Sequence, residues 1–546
     1  MPKPSLSIGW QRSAGWAAAA LSGLLLGLAY PPADFSWIIW VALVPLLWAV
    51  RRCPRPASAA WLGLVTAVIF YLIVTHPLTS AHAWAGWQSA ATPEDHDALV
   101  SQQQLRLYIL WVLWPFWAGL WWAVSTWLLA RLSKRSLWET ALLAPPLFIF
   151  FTEWLRSNLS YDHHWAFLGN AAIDTPGVLQ LGSLGGVWLL SWLVVLVNVG
   201  LLGLIRRPKG REWALPGAMA TLFLTASAWG VWYSQMLEER WSDHESHRTA
   251  AIQYHQSQYS PRHYTVLGIE RDYLELMQQV ARGDIGKVQL LVLPESIAFA
   301  TLSLDGSRAE GVPEQLHQRR QDWEEALRQI IDLSEDSLAI ILGVDTAQQS
   351  LRYNSLTFWT QSGLAHHYHK QNLVPFAEYQ PEILRKLGIS GQAQFSAGQE
   401  SAIGDLHGIR IGSFICQEVL TPAVLRRSVL NGAELLVSGG NDGVFANPAI
   451  ADVHAKLARL RAAESQRFIV RAMKTGISAI ISPTGKEISR SPSSDPYIVV
   501  GEVSAKKHLT LFSRVGNWPV GLAFLIIFAT GLANSRSLRR SVSSGA

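Results

Sequence analysis

Apolar and polar positions divide the chain into two kinds of sequence. Apolar runs dominate residues 1 to about 233, charged and amphipathic sequence fills residues 234 to about 514, and one more apolar run follows near 516–534. A helix that crosses a bilayer needs about 20 mostly apolar residues. The pattern therefore predicts eight membrane helices, at residues 13–30, 35–50, 59–75, 107–130, 138–155, 185–205, 213–233 and 516–534.

The run at 138–155 differs from the other predicted spans. Glu139, Glu153 and the Pro145-Pro146 pair interrupt it. Charged residues and prolines inside a bilayer need partners within the protein. A broken or partly buried helix therefore fits this run as well as an uninterrupted one.

Lysine and arginine clusters orient the predicted spans, because cytoplasmic loops carry an excess of these residues. With the spans placed as above, every cluster falls on the same side of the membrane. The clusters are Lys3 and Arg12; Arg51, Arg52 and Arg55; Arg131, Lys134 and Arg135; Arg206, Arg207, Lys209 and Arg211; and Arg536, Arg539 and Arg540. That side is predicted to be cytoplasmic. Residues 76–106, the loop from Asn158 to Leu184 and the whole segment 234–514 are then predicted to lie outside.

The segment 234–514 alternates strand-like and helix-like stretches, which predicts a layered α/β domain large enough to bury its own core. Amphipathic helices are predicted at about 264–282 and 453–467. Strands are predicted at Thr249–His255, Val288–Pro294, Ser337–Gly343, Asn354–Trp359, Ile409–Cys416, Glu434–Ser438, Phe468–Met473, Ile477–Ser482 and Tyr497–Val503. The predicted organisation is a membrane domain at 1–233, an exterior domain at 234–514, and a last membrane helix with a short basic tail at 515–546.

Composition supports a chain that is part membrane protein and part exterior domain. The 546 residues are 49% hydrophobic and 16% charged, which is too apolar for an ordinary cytosolic enzyme. Many of the 26 tryptophans stand near predicted span ends, as in an interfacial aromatic belt. Because the cytoplasmic clusters account for most of the excess positive charge, no nucleic-acid partner is expected.

The two cysteines are predicted to lie on opposite sides of the membrane, so they cannot form a disulfide. Cys53 stands in a cytoplasmic loop and Cys416 in the exterior domain. An isolated cysteine is more often a buried core residue than a nucleophile. An unpaired thiol in an oxidising compartment is a liability unless it is buried or used, and this favours a working Cys416.

Two further segments favour a nucleophilic Cys416, which ends the strand-like run Ser413-Phe414-Ile415. The apolar run Leu291 to Pro294 delivers Glu295 just past its end, and Lys370 precedes a Leu-Val-Pro-Phe turn that Glu378 follows. Glutamate, lysine and cysteine, each after a strand, resemble the nitrilase superfamily. In such a set a carboxylate takes the thiol proton, an ammonium stabilises the thiolate and the oxyanion, and the thiolate forms an acyl-enzyme.

Two other kinds of site find less support. The glycine-rich stretch Gly439 to Gly443 lacks the lysine and the spacing of a nucleotide-binding loop and is interpreted as a loop beside Cys416. His366, His367 and His369 flank Lys370 in a predicted exposed turn, where solvated histidines are more common than metal ligands. We therefore expect neither a metal nor a cofactor.

The whole pattern of membrane helices, exterior domain and closing helix resembles one family, the apolipoprotein N-acyltransferases of bacterial envelopes. The resemblance rests on Ala29-Tyr30-Pro31-Pro32, the run Trp40 to Leu47, Glu153-Trp154-Leu155-Arg156, the turn Leu373 to Glu378, and Arg461-Ala462-Ala463-Glu464 with Arg471. It implies an αββα nitrilase-like exterior domain and a multi-pass protein of the bacterial inner membrane whose catalytic domain faces the periplasm.

The resemblance also implies a reaction. A fatty acyl chain passes from a membrane phospholipid, through a cysteine thioester, to the amine of the lipidated amino-terminal cysteine of an apolipoprotein. Carried over by position, it makes Glu295 the general base, Lys370 the charge stabiliser and Cys416 the nucleophile. Glu378 and Glu418 become supporting acids. The enzyme is expected to act as a monomer.

Several positions near the expected site depart from the family pattern. The family usually has aromatic residues where this chain has Gln417 and Val444, glycine at Ala377, asparagine at Lys474, and a Gly-Phe-Pro-Trp element near the stretch Asp162 to Trp165. Gln417 and Val444 are candidates for lining the substrate pocket. The alternatives to lipoprotein acylation are a paralogue that uses the same thioester chemistry on another amine or as an amide hydrolase, and a non-catalytic membrane binding protein.

Overall fold

A computed structural model describes most of the chain, namely residues 5–81, 93–133, 136–159, 164–205, 208–241, 245–254, 266–307, 320–334, 338–375, 378–379, 386, 395–445, 447–492 and 496–543. Among these residues, backbone contacts define two compact units. The helical unit comprises the described residues within Met1–His82, Asp97–Met236 and Val515–Ala546, and the α/β unit comprises those within Ala83–His96 and Leu237–Arg514.

The helices, in chain order, are α1 (Ser5–Leu28), α2 (Ile39–Ala42), α3 (Val44–Arg52), α4 (Pro56–Thr75), α5 (Pro93–Leu132), α6 (Leu137–Leu147), α7 (Arg156–Asn158), α8 (Leu168–Ala171), α9 (Gly182–Ile205), α10 (Ala214–Trp241), α11 (Val266–Ala281), α12 (Arg320–Asp332), α13 (Pro422–Leu430), α14 (Pro448–Ser465), α15 (Leu511–Val515) and α16 (Trp518–Ser543). A π-helix spans Phe148–Leu155, and 3₁₀ turns lie at Ser36–Ile38, His76–Ala81, Val178–Leu181, Gly210–Trp213, Cys416–Leu420 and Asp442–Val444.

Long apolar helices characterise the helical unit, and they confirm the predicted membrane domain. Within the described part of the chain, four helical segments are long and apolar enough to cross a bilayer: Pro56–Ser80, Gln104–Leu132, Val178–Ile205 and Gly210–Trp241. Shorter apolar helices lie at Ser13–Leu28 and Trp518–Asn534. Gln104–Leu132 and Gly210–Trp241 leave most of their apolar surface exposed, as expected of helices that face lipid.

The predicted span at 35–50 is not one continuous helix. A 3₁₀ turn and α2 precede a break at Leu43, after which α3 begins with Pro45 in its first turn. Asn198 of α9 supplies the hydrogen bonds at the break: its Oδ1 accepts from Leu43 N (2.9 Å) and its Nδ2 donates to Ile39 O (3.0 Å). A polar side chain from another helix thus replaces the backbone partners that the break removes.

The predicted span at 138–155 is helical but irregular. Pro145 and Pro146 lie in the last turn of α6, which ends at Leu147, and the π-helix follows directly. Prolines remove backbone donors and widen the helical path. Glu153, in this π-helix, is buried, and its Oε1 accepts from Leu168 N (2.7 Å) and from Ser191 Oγ (2.9 Å). The interrupting carboxylate therefore has partners inside the protein, as its place in an apolar run requires.

Two sheets form the α/β unit. Their strands are β1 (His247–Gln253), β2 (Leu290–Val292), β3 (Ala298–Ser303), β4 (Ala339–Gln348), β5 (Leu351–Thr360), β6 (Gly363–His369), β7 (Ile403–Leu406), β8 (Ile409–Ile415), β9 (Leu435–Gly440), β10 (Ile469–Met473), β11 (Ala479–Ile481), β12 (Glu487–Arg490) and β13 (Tyr497–Val503). The seven-stranded sheet has the order β13-β1-β2-β4-β5-β6, with β3 beside β4, and the six-stranded sheet has the order β12-β11-β10-β9-β8-β7.

The two sheets pack face to face between helices, so the predicted αββα fold class is confirmed. Leu290 and Val292 of one sheet share a buried cluster with Ile411 and Val437 of the other. α11 and α12 cover the outer face of the seven-stranded sheet through Tyr273, Met277 and Leu327, among others. On the six-stranded sheet, α13 approaches so closely that a Cβ at Gly412 would lie 2.9 Å from Ser428 Cβ.

Each predicted strand corresponds to an observed one, but β3, β6, β7 and β12 were not predicted. The expectation that His366, His367 and His369 lie in an exposed turn is wrong, because all three belong to β6. His369 is half-buried, with Nδ1 2.8 Å from Ser355 Oγ and Nε2 3.1 Å from Gln348 Oε1, and burial lowers its pKa to about 4. A histidine-rich edge strand lacks the apolar alternation by which strands are recognised.

Candidate active site

Glu295, Lys370 and Cys416 meet because each stands just beyond the end of a strand. Glu295 lies three residues after β2, Lys370 directly follows β6, and Cys416 directly follows β8. β2 and β6 belong to the seven-stranded sheet and β8 to the six-stranded sheet. The base candidate and the nucleophile candidate therefore come from opposite layers of the sandwich.

Lys370 lies between two carboxylates. Its Nζ is 2.8 Å from Glu378 Oε1 and 3.7 Å from Glu295 Oε1, and only 1% of its side chain is exposed. Asn354 of β5 donates from Nδ2 to both Glu295 and Glu378, the second at 2.8 Å. Val374 N donates to the other oxygen of Glu378 (2.7 Å). Fixed donors thus orient both carboxylates toward the ammonium.

Burial, together with the charges of this cluster, makes Glu295 a better proton acceptor than an exposed glutamate. Burial raises the pKa of Glu295, the Lys370 ammonium lowers it, and the Glu378 carboxylate raises it again, with a net rise. For Lys370, burial acts to lower the pKa, but the Glu378 and Glu295 carboxylates outweigh burial and raise it. Lys370 therefore stays an ammonium at neutral pH, and Glu295 binds a proton more readily than usual.

Cys416 occupies a sharp turn between β8 and the 3₁₀ turn that follows. Its φ of +52° is in the left-handed region, which few non-glycine residues adopt. Gly440 leaves room for this turn, since a Cβ there would lie 3.1 Å from Cys416 Cα. The Sγ atom is 4.0 Å from Asn441 O, and the Glu295 carboxylate is close enough to the thiol to raise its pKa. Strained turns of this kind recur where a nucleophile must be exposed to substrate.

Burial raises the pKa of the Cys416 thiol, and the Glu295 carboxylate raises it further, while Lys370 lowers it. The thiol is therefore protonated at neutral pH. Because the thiolate is the nucleophile, the proton must leave as the sulfur reacts. Glu295, the charged group with the largest effect on the thiol, is the candidate to accept it.

Glu418 connects the turn that carries Cys416 to the turn that carries Lys370. It is fully buried, and its Oε2 accepts from Ile415 N (2.7 Å) and Tyr368 OH (2.9 Å). Its Oε1 accepts from Gln371 N (2.7 Å) and Asn372 N (3.0 Å). Burial raises the pKa of Glu418, partly offset by these backbone donors. Its position favours a supporting role, because its contacts hold the backbone on both sides of the site.

The two pocket candidates are described unequally. Gln417 is buried, and its Nε2 donates to Asn372 O (3.2 Å) in the turn after Lys370. The side chain of Val444 and the whole of Ala377 lie outside the described residues. Lining of a substrate pocket by Gln417 and Val444 therefore stays a prediction.

A second buried charge cluster lies near Cys416. The sequence placed Asp442 in the loop beside Cys416 and used Arg471 for the resemblance, but it did not indicate that these two residues meet each other and His454. Asp442 Oδ1 is 2.7 Å from His454 Nδ1, and Asp442 Oδ2 accepts from Arg471 Nη2 (3.1 Å). Burial acts to raise the pKa of Asp442, but His454 and Arg471 outweigh it and lower the pKa. This ionised carboxylate anchors the stretch Gly439 to Gly443, so that Asn441 O stays beside the thiol.

Asn354 is the other residue that the sequence did not indicate. A signal was present, since it is a polar residue within the apolar strand β5, where a buried amide needs partners. Its partners Glu295 and Glu378 are 59 and 24 residues away along the chain. Only the folded arrangement identifies them.

Family profiles match both parts of the chain. The profile described as apolipoprotein N-acyltransferase N-terminal domain matches residues 22–200, and the carbon-nitrogen hydrolase profile matches residues 248–507.

Similar curated proteins match nearly the full chain, and the following three are each named apolipoprotein N-acyltransferase. The relative from Gloeobacter violaceus is 29% identical over 545 residues, which cover 96% of this chain and 94% of the relative. The relative from Geobacter metallireducens is 27% identical over 522 residues, covering 91% of each chain. The relative from Pseudomonas aeruginosa PAO1 is 28% identical over 554 residues, covering 95% of this chain and 96% of the relative.

Similar solved structures cover about half of the chain. A mutant of an amidase from Nesterenkonia sp. AN1 is 16% identical, with a TM-score of 0.36, and the match covers 51% of this chain and 99% of the amidase. Saccharomyces cerevisiae Nit3, a nitrilase-superfamily member, is 16% identical, with a TM-score of 0.35, over 48% of this chain and 90% of Nit3.

Proposed function

The chain belongs to the apolipoprotein N-acyltransferase family, within the carbon-nitrogen hydrolase superfamily, and we propose that it acylates the amino-terminal diacylglyceryl-cysteine of apolipoproteins. The acyl donor in this proposal is a membrane phospholipid, and the intermediate is a thioester on Cys416. The observation that carries the proposal is that Glu295 Oε1 lies 3.7 Å from Lys370 Nζ and that both charges act on the buried Cys416 thiol, in a chain with a membrane domain.

The first half-reaction loads the enzyme. Glu295 takes the thiol proton as Cys416 Sγ attacks the ester carbonyl of the phospholipid. The carbonyl oxygen becomes an oxyanion, which the Lys370 ammonium stabilises. When the tetrahedral intermediate collapses, the glycerol oxygen leaves with the proton from Glu295, and the acyl chain stays on sulfur as a thioester. Glu378 holds the ammonium in place by its 2.8 Å contact.

The second half-reaction passes the chain to the acceptor. The neutral amine of the diacylglyceryl-cysteine attacks the thioester carbonyl, and Glu295 takes the amine proton. The oxyanion again faces Lys370. Collapse breaks the carbon-sulfur bond, forms the amide and returns the proton to the sulfur. A glutamate whose pKa is raised suits both directions of this transfer, because a general base works best when its pKa is near the working pH.

The family and the apolar helices make this a membrane protein, and we propose that its catalytic domain faces the periplasm as one monomer. The basic clusters at predicted span ends support this orientation. The proposed domains remain 1–233, 234–514 and 515–546. A reporter fused after about residue 235 should be active only in the periplasm. Activity in the cytoplasm would overturn the orientation and remove the access to lipoprotein that the reaction needs.

Complementation tests the reaction most directly. The full chain should restore growth to a bacterial strain depleted of its own N-acyltransferase, and mass spectrometry of a lipoprotein should show the added amide-linked acyl chain. Cys416→Ala should insert into the membrane but fail to complement. Cys416→Ser should also fail, since a hydroxyl is a poorer nucleophile than a thiol with this base. Cysteine-dependent amide hydrolysis without lipoprotein acylation would favour the paralogue instead.

Gln417 and Val444 are proposed to adapt the acyl pocket. Smaller or polar side chains beside the thioester remove apolar area, which contributes about 25 cal/mol per Å². The double change Gln417→Tyr with Val444→Trp should therefore raise transfer of long acyl chains to a diacylglyceryl-cysteine peptide. Thioester accumulation and its release to the peptide measure this effect. Unchanged chain-length preference would show that the two positions do not line the pocket.

A further inference from the structure

The base candidate and the nucleophile candidate belong to different sheets, so no strand pairing sets the distance between them. β2, which leads to Glu295, pairs with β1 and β4. β8, which leads to Cys416, pairs with β7 and β9. The packing of one sheet on the other and the contacts between the loops at their ends therefore set the two groups relative to each other. Lys474 makes such contacts on both sides.

Lys474 directly follows β10 of the six-stranded sheet. Its backbone N donates to Gly440 O (2.8 Å), and Gly440 is the residue packed on Cys416 Cα. Its side chain crosses to the other layer, where Nζ donates to Ser296 O (3.3 Å). Ser296 follows Glu295 and has a φ of +50°, a strained conformation that needs support from its surroundings. One residue thus connects the backbone beside the nucleophile with the backbone beside the base.

The Lys474 ammonium also belongs to the electrostatic surroundings of Glu295. Only 5% of the residue is exposed, and the carboxylates that act on it are Glu295, Asp345 of β4 and Glu270 of α11. Burial lowers the pKa of Lys474 to about 8, so the group is still charged at neutral pH. Asp345 is itself paired with Arg352 of β5.

We propose that Lys474 is a positioning residue of this active site, which holds the Glu295 loop against the Cys416 loop and whose positive charge favours the ionised form of Glu295. This inference rests on the proposed role of Glu295 as base for Cys416. The groups that face Glu295 are Lys370, Glu378, Cys416 and Lys474. Removing one of the two cations should raise the pKa of Glu295, and the reaction should then begin at higher pH.

Alkylation of Cys416 tests this without any lipid or lipoprotein. The full-length protein in detergent carries Cys53→Ser, so that Cys416 is its one thiol, and the rate with iodoacetamide is measured against pH. Lys474→Met should move the acid limb of this profile upward by about one pH unit, the lower end of the effect of a nearby charge. It should also lower the plateau rate, because the loop contact is lost. Lys474→Arg should restore much of both.

One more variant separates the loss of the charge from the loss of the loop contact, and another serves as a control. Lys474→Gln keeps a hydrogen-bond donor without the charge, so it should retain more of the plateau rate than Lys474→Met while its acid limb still moves. Lys506→Met is the matched control. Lys506 is equally buried in the same unit and its pKa is also lowered to about 8, but its Nζ lies over the Trp241 ring, 5.5 Å from the centroid. Its removal should leave the profile unchanged.

Several results would overturn the inference. One is an unchanged profile in Lys474→Met, or in Lys474→Gln should the methionine variant not fold. Another is an equal change in Lys506→Met, which would indicate a general loss of stability. A third is an acid limb that survives in Glu295→Gln, since the limb would then belong to another group. Failure of the proposed function is a separate outcome: the alkylation profile would depend on Lys474 as described while no lipoprotein became acylated.

Discussion

Two buried charge clusters flank Cys416, and they hold their carboxylates in opposite ways. In the first, one ammonium, Lys370, is shared by Glu295 and Glu378. In the second, one carboxylate, Asp442, is shared by His454 and Arg471. Burial is nearly complete in both, yet the pKa of Glu295 is raised and that of Asp442 is lowered.

The difference shows that the cations around a buried carboxylate decide whether the effect of burial on its pKa prevails. A carboxylate whose cations do not outweigh burial keeps a raised pKa and suits proton transfer. A carboxylate whose cations outweigh burial stays ionised and suits a structural anchor. On this basis Glu295 is the candidate base, and Asp442 holds the loop that packs beside the candidate nucleophile, Cys416.

The sharpest test of this comparison is Glu295→Gln. Glutamine keeps the size of the side chain but cannot accept the thiol proton, so we expect acyl-enzyme formation to fall by about 10² to 10⁴-fold. Mass spectrometry of the intact protein after exposure to phospholipid measures the thioester. Asp442→Asn makes the same chemical change in the other cluster and is the control. Equal losses per folded molecule in the two variants would contradict the distinction between base and anchor.

Lys370 is expected to have the next largest effect. Both Lys370→Ala and Lys370→Arg should lower the rate by about 10² to 10³-fold, the typical cost of losing an oxyanion donor. Arginine should not rescue alanine, because the longer planar guanidinium moves the charge away from the oxyanion. Lys506→Arg, a similar change at a buried lysine outside this cluster, is the control for folding. Near-normal transfer by Lys370→Arg would make Lys370 a structural ion-pair partner.

Neutralising the carboxylate should change the free energy of unfolding differently in the two clusters. Asp442→Asn leaves His454 and Arg471 without their carboxylate, and breaking a buried pair in this way costs about 3–5 kcal/mol. Burial disfavours the ionised form of Glu295 and raises its pKa, so the neutral side chain of Glu295→Gln should let the protein unfold at an equal or higher temperature than the original chain. Thermal unfolding in detergent measures both. Glu502→Gln, at an exposed ion pair with Arg248, should cost less than about 1 kcal/mol. A stable Asp442→Asn protein would remove the anchor from this comparison.

The pH dependence of stability should be the smallest effect. The folded chain holds the Asp442 proton less tightly than the unfolded chain, so this group stabilises the fold above about pH 3.9, and the contribution is lost as pH falls through the lower folded pKa. Glu295 has the opposite sign: its stabilisation is present below about pH 4.3 and is lost as pH rises through its raised folded pKa. Below about pH 4, the stability of Asp442→Asn should therefore depend less on pH than that of the original chain, as unfolding measurements in acid would show. An unchanged profile would show that another group dominates.

Much of the molecule followed from local sequence signals. Apolar runs predicted the long membrane helices, and short apolar stretches predicted most of the strands, because these patterns reflect burial along one element. Glu295, Lys370 and Cys416 could be proposed as a set since each follows a strand. The same signals failed for β6, whose histidines lack the alternation of an ordinary strand, and for the break at Leu43.

By itself, the sequence determined the two kinds of domain, the order of most elements and the three strand ends that carry the proposed chemistry. Only the tertiary structure decided which partners those groups meet. Asn354 contacts two carboxylates, Asp442 joins His454 and Arg471, and Lys474 reaches Ser296 across the sandwich. These partners lie far apart along the chain, and the packing of one sheet on the other brings them together. The charge balance that separates a base from an anchor is therefore a property of the fold, since it depends on distances that no local pattern contains.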